Sequence, residues 1–164
     1  MKRSYYFLWF RLYQTDQYLI WVQADQNLVY LETPSYLPTF SSKEALKQYA
    51  HTKQIQLETD PPVLHHLDLV FGWLSDPQAD FNRLQFLAAW HLFGDIARSI
   101  NKFFLGNQQK DMLTNQVYDK LFGGNNRPAS AYDPHWTVTE LKRLSEVLTQ
   151  GFQLMQGVAK DVKR

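Results

Sequence analysis

Tyr5-Tyr6-Phe7-Leu8-Trp9-Phe10-Arg11-Leu12-Tyr13 is the stretch that decides the fold. Aromatic and branched side chains of this kind fit a pleated, half-buried surface, so the run reads as a β-strand. With a period of two, Tyr6, Leu8, Phe10 and Leu12 share one face, while Tyr5, Phe7, Trp9 and Tyr13 share the other. Neither face is polar. Either both are covered by other elements, or one is an aromatic surface offered to a partner. Two further runs, Tyr18 to Ala24 and Leu28 to Leu31, have the same character. The turn-like groups Gln14-Thr15-Asp16-Gln17 and Asp25-Gln26-Asn27 separate them, which predicts a three-stranded antiparallel meander.

Beyond the meander, Pro34 and Pro38 break the chain. Ser41 to Glu44 has the S-x-x-E form of a capping box, opening a short helix over about residues 42–51. Ile55-Gln56-Leu57 alternates like a brief strand able to add to the sheet. Pro62 suits a first helical turn, leading into a helix over 63–74 with Leu64, Leu67, Val70, Phe71 and Leu74 on one side. From Asp80 onward, Phe81, Leu84, Leu87, Trp90 or His91, Gly94, Ala97 and Ile100 recur every three or four residues, which predicts a long central helix. Another helix is expected over 108–122, with Met112, Val117 and Leu121 apolar and Gly123-Gly124-Asn125-Asn126 ending it. Thr137-Val138-Thr139-Glu140 is a second capping box, before a stripe of Leu141, Leu144, Leu148, Gly151 and Met155. Lys160 to Arg164 reads as a frayed basic tail. The expectation is one α+β domain over 1–164. Residues 1–58 are mainly strands with one short helix, and 62–158 are mainly helical. A small N-terminal antiparallel β-meander thus packs against a C-terminal bundle of about four to five helices.

Composition narrows the classes of function. Hydrophobic residues make up 45% and aromatic ones 15%, ample for a core. The 17 Lys and Arg against 16 Asp and Glu give a net charge of +1, with no global field to steer the chain onto nucleic acid or anionic lipid. Cysteine is absent, which excludes disulfides, thiolate nucleophiles and Cys-based zinc sites. Met1-Lys2-Arg3 resembles the start of a signal peptide, but Arg11 interrupts the apolar run and no small-residue cleavage site follows. No run reaches the roughly 18 to 20 apolar residues of a membrane span. A cytoplasmic protein with neither membrane nor nucleic acid as partner is the expectation.

Candidate chemistry is sparse. His65, His66 and Asp68 suggest a metal, yet adjacent helical side chains point about 100 degrees apart, and one packed with one exposed histidine is the simpler reading. His91 and Asp95, four apart on one helix face, could form a carboxylate–histidine pair of the sort that supports general base catalysis. The same spacing serves an internal hydrogen bond in a buried helix. No G-x-S-x-G elbow or phosphate loop is present, and no carboxylate pair stands out. No metal or cofactor is expected. The loop from Gly123 to Trp136 gathers Asn125, Asn126, Arg127, Tyr132, Asp133, His135 and Trp136, residue types that dominate binding hot spots. Alternatively, Trp136 simply packs ahead of the last helix as a hydrophobic staple.

Two segments carry a resemblance. The first is Leu87-x-x-Trp90-x-Leu92-Phe93-x-Asp95-Ile96-x-x-Ser99. The second is Tyr118-Asp119-Lys120-Leu121-Phe122-x-Gly124-Asn125-Asn126-x-Pro128. With Pro134-x-Trp136, Glu140 and Gly151, they make the second half of the chain resemble the immunity proteins of bacterial contact-dependent growth inhibition and related polymorphic toxin systems. The resemblance implies a non-catalytic protein that binds the C-terminal domain of one cognate toxin in the cytoplasm of the producing cell. It would neutralise that toxin by plugging its active site or blocking its substrate groove. Inhibitors of nuclease toxins are often acidic, and a charge of +1 departs from that pattern. On this reading Trp90, Asp95, Tyr118, Asp119, Asn126 and Trp136 build the fold. The toxin is then met by Asn125, Arg127, Tyr132, Asp133 and His135, joined by Tyr5, Trp9 and Trp21 if the second face of the sheet is open. The alternatives are a small hydrolase-like enzyme using His91 and Asp95, and a scaffold domain that docks other proteins on its aromatic sheet.

Overall fold

A computed structural model describes residues 2–77, 80–108, 110–123 and 134–162. Strand β1 (Ser4–Leu12) and strand β2 (Thr15–Gln23) form an antiparallel hairpin in register from Ser4↔Gln23 to Leu12↔Thr15. Only Tyr13 and Gln14 remain for the turn, and both take positive φ, 54° and 59°. A two-residue turn of this kind normally uses Asn-Gly, because side chains with a Cβ are strained there. Here the carboxylate of Asp68 accepts from both turn amides, at 2.6 Å from Tyr13 N and 2.8 Å from Gln14 N. The longer turn expected at 14–17 is therefore replaced by a tight one, because the group that holds it lies more than fifty residues away in sequence.

Strand β3 (Leu28–Val29) completes the meander, and β5 (Leu64–His66) joins β1 in parallel, giving the order β3-β2-β1-β5. The predicted helix over 63–74 is thus corrected: its first residues are strand, and helix α2 runs Leu67–Ser75. Pro61 and Pro62 favour extended backbone before them, which carries the chain alongside β1 before it can coil. Leu57 contributes a single parallel bridge to Tyr5. A second sheet pairs β4 (Leu37–Thr39) in parallel with β6 (Ala159–Asp161). Pro38 therefore sits within a strand, and the tail expected to fray is paired through Asp161.

Helix α1 (Lys43–Thr52) is capped by Ser42, whose Oγ accepts from Ala45 N at 3.1 Å; the cap falls one residue after Ser41, and with Ala45 at the third helical position the expected capping box with Glu44 does not form. Helix α3 (Arg83–Ser99) starts at the Asn82 cap, and α4 (Met112–Phe122) at the Asp111 cap. Helix α5 (Val138–Val158) carries the predicted Thr137–Glu140 capping box in full. Gly123 closes α4 in the right-handed region, with no positive φ. Of the three apolar residues named for α4, Val117 and Leu121 are buried and Met112 is 86% exposed.

The fold is α+β, and helices pack on both faces of the sheet. On one side Ile20, Phe40 and Leu46 form a small cluster with Tyr5, Phe7 and Tyr18 under α1. On the other, Leu8, Phe10, Leu12 and Leu19 join the main core built on α3 and α5. Tyr5 and Trp9 therefore share the α1 side. Trp21, opposite Tyr6 in the register, faces the helices. The three residues grouped as one face are split between the two: Tyr5 and Trp9 lie under α1, and Trp21 lies on the helix side.

Helices α3 and α5 approach closely at Gly151, where an added Cβ would overlap the ring of Phe93. Phe93 is fully buried and cannot swing aside. Gly151→Ala is expected to cost about 1–3 kcal/mol of overpacking, despite the better helix propensity of alanine, measured as a lower urea midpoint at unchanged slope.

Candidate functional site: a groove between sheet and helices

Asp95 sits in the second half of α3, about one turn from its end, with 6% exposure, because the helix is packed by sheet, helices and turns on most of its circumference. Its carboxylate accepts from Trp21 Nε1 at 3.2 Å and from the guanidinium of Arg98 one turn on. Arg98 also donates to the Asn27 carbonyl, at 3.3 and 3.4 Å, and to Asn107 Oδ1 at 3.4 Å. Ser99 Oγ donates to the Asp95 carbonyl at 2.8 Å and accepts from Val29 N at 2.9 Å. One turn of α3 thereby fixes the β2–β3 turn, strand β3 and the 3-10 turn Leu105–Asn107. Burial pushes the Asp95 carboxyl up to about 7, against the opposing pull of Arg98 and Trp21.

His91 does not join Asp95. Its Nε2 lies 2.7 Å from the Tyr118 hydroxyl on α4, and the two rings are 5.7 Å apart. Burial, with Arg98 and His65 nearby, lowers the His91 pKa and keeps the ring neutral near pH 7. Of the two expectations for the i,i+4 spacing, the catalytic pair is not formed. The internal hydrogen bonds of Asp95 go to Arg98 and Trp21, with His91 taking no part. His65 is largely packed and its pKa is lowered by burial, while His66 is half-buried. Asp68 is committed to the hairpin turn. Among the described residues, no group of three or more His, Cys, Asp or Glu is placed to hold a metal ion.

These side chains border a groove of about 1240 Å³. Its floor is Tyr6 and Trp21, whose rings are tilted against each other with centroids 5.3 Å apart, with Leu8. One wall is the segment from Asp60 to Val63 with His65. The opposite wall is α3 around His91 and Asp95, with Asn115, Tyr118 and Asp119 of α4. Tyr118 packs on Trp90, also along the groove, at 5.5 Å, and the aromatic system continues beyond it to Phe122 at 5.9 Å.

The sequence candidates distribute as follows. Trp90 is buried and donates from Nε1 to the Gly106 carbonyl at 3.0 Å; Tyr118 is half-buried; Asp119 is exposed at the groove rim. Trp136 is half-buried against Phe81 at 5.4 Å, with the Lys120 ammonium 5.7 Å above its ring. His135 is exposed, and its carbonyl accepts from Lys120. Asn125, Asn126, Arg127, Tyr132 and Asp133 lie outside the described residues. Sequence reasoning missed Tyr6, Asp60 and Arg98 as groove residues. Only Arg98, three positions after Asp95, left a local signal. Glu140 does more than cap α5: it is 1% exposed and takes Lys120 Nζ and Gln116 Nε2, each at 2.7 Å. Burial pushes its carboxyl up, but the Lys120, Thr137 and Gln116 hydrogen bonds prevail and bring it to about 2.

No protein-family model and no curated protein matches the chain. Among solved structures it is similar to the C-terminal domain of SatS, crystallised in complex with bromine, with a TM-score of 0.52 and 15% identity. The alignment covers 98% of this chain and 94% of that one. At this identity the likeness is one of fold: nearly the whole α+β arrangement has a counterpart in an experimental structure. Among the described residues, no helix is long and apolar enough to cross a membrane.

Asp95 keeps its proton to about pH 7 when folded and loses it near pH 4 when unfolded. Between those values only the folded state binds it, so its stabilising contribution is full at low pH and lost as pH rises toward 7. Relative to Asp95→Asn, the wild type is expected to lose about 1–2 kcal/mol between pH 5 and 7, with the difference level above pH 8. Urea denaturation of both proteins across pH measures it. Glu140 behaves oppositely: its contribution is present above pH 4.5 and is lost as pH falls toward 2. Glu140→Ala is expected to cost about 2–4 kcal/mol at pH 7 and progressively less in acid, read from thermal unfolding at several pH values.

Proposed function

We propose that this chain is a non-catalytic immunity protein that binds the C-terminal domain of a cognate toxin in the cytoplasm of the producing cell, and that the groove is where it does so. The observation that carries the reading is the state of the groove's polar groups. Asp95, the carboxylate best placed to assist a histidine, is consumed by Arg98 and Trp21 in fixing three chain segments. The carboxylate–histidine pair that assists a general base is therefore not formed, and His91 is hydrogen-bonded to a tyrosine hydroxyl instead. What is left is a recognition surface: Tyr6, Trp21 and Tyr118 supply rigid, amphipathic area of the type that anchors protein interfaces. The volume of about 1240 Å³ exceeds the roughly 300–1,000 Å³ of small-molecule sites and suits a segment of polypeptide. The resemblance of the second half of the chain to toxin-immunity proteins supplies the class of partner.

One observation favours a second reading, a small hydrolase: His91 is solvent-exposed within the groove, neutral near pH 7 and in contact with the Tyr118 hydroxyl. Co-expression with the product of the gene immediately upstream separates the two. The immunity reading expects a one-to-one complex by native mass spectrometry and rescue of cells from that product, both retained in His91→Ala. Absence of a complex between soluble, folded partners, together with a hydrolytic activity lost in His91→Ala, would replace it with the enzyme reading.

A further inference from the structure

The β1 edge is left open inside the groove. On the side away from β2, β1 is bridged at Tyr5 by Leu57, with Glu58 N donating to Tyr5 O at 2.8 Å, and paired again from Trp9 by Leu64. Three residues of β1, Tyr6 to Leu8, thus lie beside six of its neighbour, Glu58 to Val63, so the neighbouring chain bows off the strand. The alternation of the ladder fixes what faces the gap. Tyr5 O is taken from the outer side, and Ile20 O, opposite Phe7, accepts from Tyr30 N at 2.9 Å on the far side of β2. Phe7 and Ile20 therefore form a non-hydrogen-bonded pair, and the N–H and C=O of Phe7 point at the gap. A sheet edge presenting such groups is a template for an added extended chain.

Charge selects what that chain carries. The carboxylates of Asp60, on the bowed segment, and Asp119, on α4, line the groove and make no hydrogen bond or ion pair with any described residue. The groove's guanidinium, Arg98, is already paired with Asp95. Trp21 and Tyr118 line the same space, and aromatic rings beside a cation attract it.

Resting on the partner-binding reading above, we infer that the groove takes an extended segment of the partner protein bearing an arginine or lysine. Its backbone hydrogen-bonds Phe7, and its cationic side chain meets Asp60, Asp119 and the aromatic floor. The test uses the 164-residue chain labelled with 15N and a capped pentapeptide, acetyl-Thr-Val-Arg-Val-Thr-amide, beside the same peptide with Glu at the centre. The Arg peptide is expected to shift the Phe7 amide and the Trp21 indole N–H and to bind at least fivefold more tightly than the Glu peptide. N-methylation of its central residues should weaken it at least fivefold. Asp60→Asn with Asp119→Asn, both at exposed positions and so tolerated by the fold, should abolish the Arg preference. Equal binding of the two peptides, or shifts confined to residues outside the groove, would overturn the inference. The toxin complex is a separate arm. If it fails to form while the Arg preference persists, the groove chemistry stands and the toxin partner falls. If it forms and the double variant weakens it less than fivefold, the toxin reading stands and this inference falls.

Discussion

Helix α3 touches β3, β5, α2, α4, α5 and the 3-10 turn, so the Asp95 carboxylate in its last turns is largely withdrawn from water. The structure answers with two donors to Asp95, one from the sheet and one from its own helix. Trp21 comes from β2 and Arg98 from the next turn of α3, and Arg98 reaches on to the Asn27 carbonyl and Asn107. A buried polar network is stabilising only when every member is satisfied, and this one ties the sheet's far edge and the 3-10 turn to the same helical turn. Remove the carboxylate and the guanidinium, the indole and two loop segments lose their common reference point.

The same arrangement shapes the groove. Because Trp21 is held by Asp95, its ring stays on the sheet's helix side beside Tyr6, forming a floor rather than filling the gap between sheet and α4. On the opposite wall, the hydrogen bond between His91 and Tyr118 sets α4 against α3 at the rim. Rigid aromatic surface of this kind lowers the entropy lost on binding, since few rotamers remain to be frozen.

Periodicity made much of the fold legible. The aromatic run at Tyr5 to Tyr13, the three-or-four spacing through α3 and the Thr137–Glu140 box are local signals, and each produced its element. The departures share a cause: partners distant in sequence. Asp68 tightens a turn more than fifty residues away; β1 recruits Leu64–His66 as strand; β4 turns Ala159–Asp161 from tail into strand. At the site, the i,i+4 spacing of His91 and Asp95 was visible, but not that Trp21 and Tyr118 would claim them separately. Tyr6 and Asp60 carried no signal, because only the bowing of Glu58 to Val63 brings them to one groove.

The pairing of Leu37–Thr39 with Ala159–Asp161 closes a loop of about 120 residues. Closure entropy grows only slowly with length, but it must be met before three short ladder pairs return anything. Those pairs therefore form once α5 has docked and carried its end to β4, which makes them a late event in folding. Read in reverse, the small second sheet is the natural place for the native state to begin to open. Amides there should exchange through local fluctuations while α3 exchanges only when the whole fold is lost.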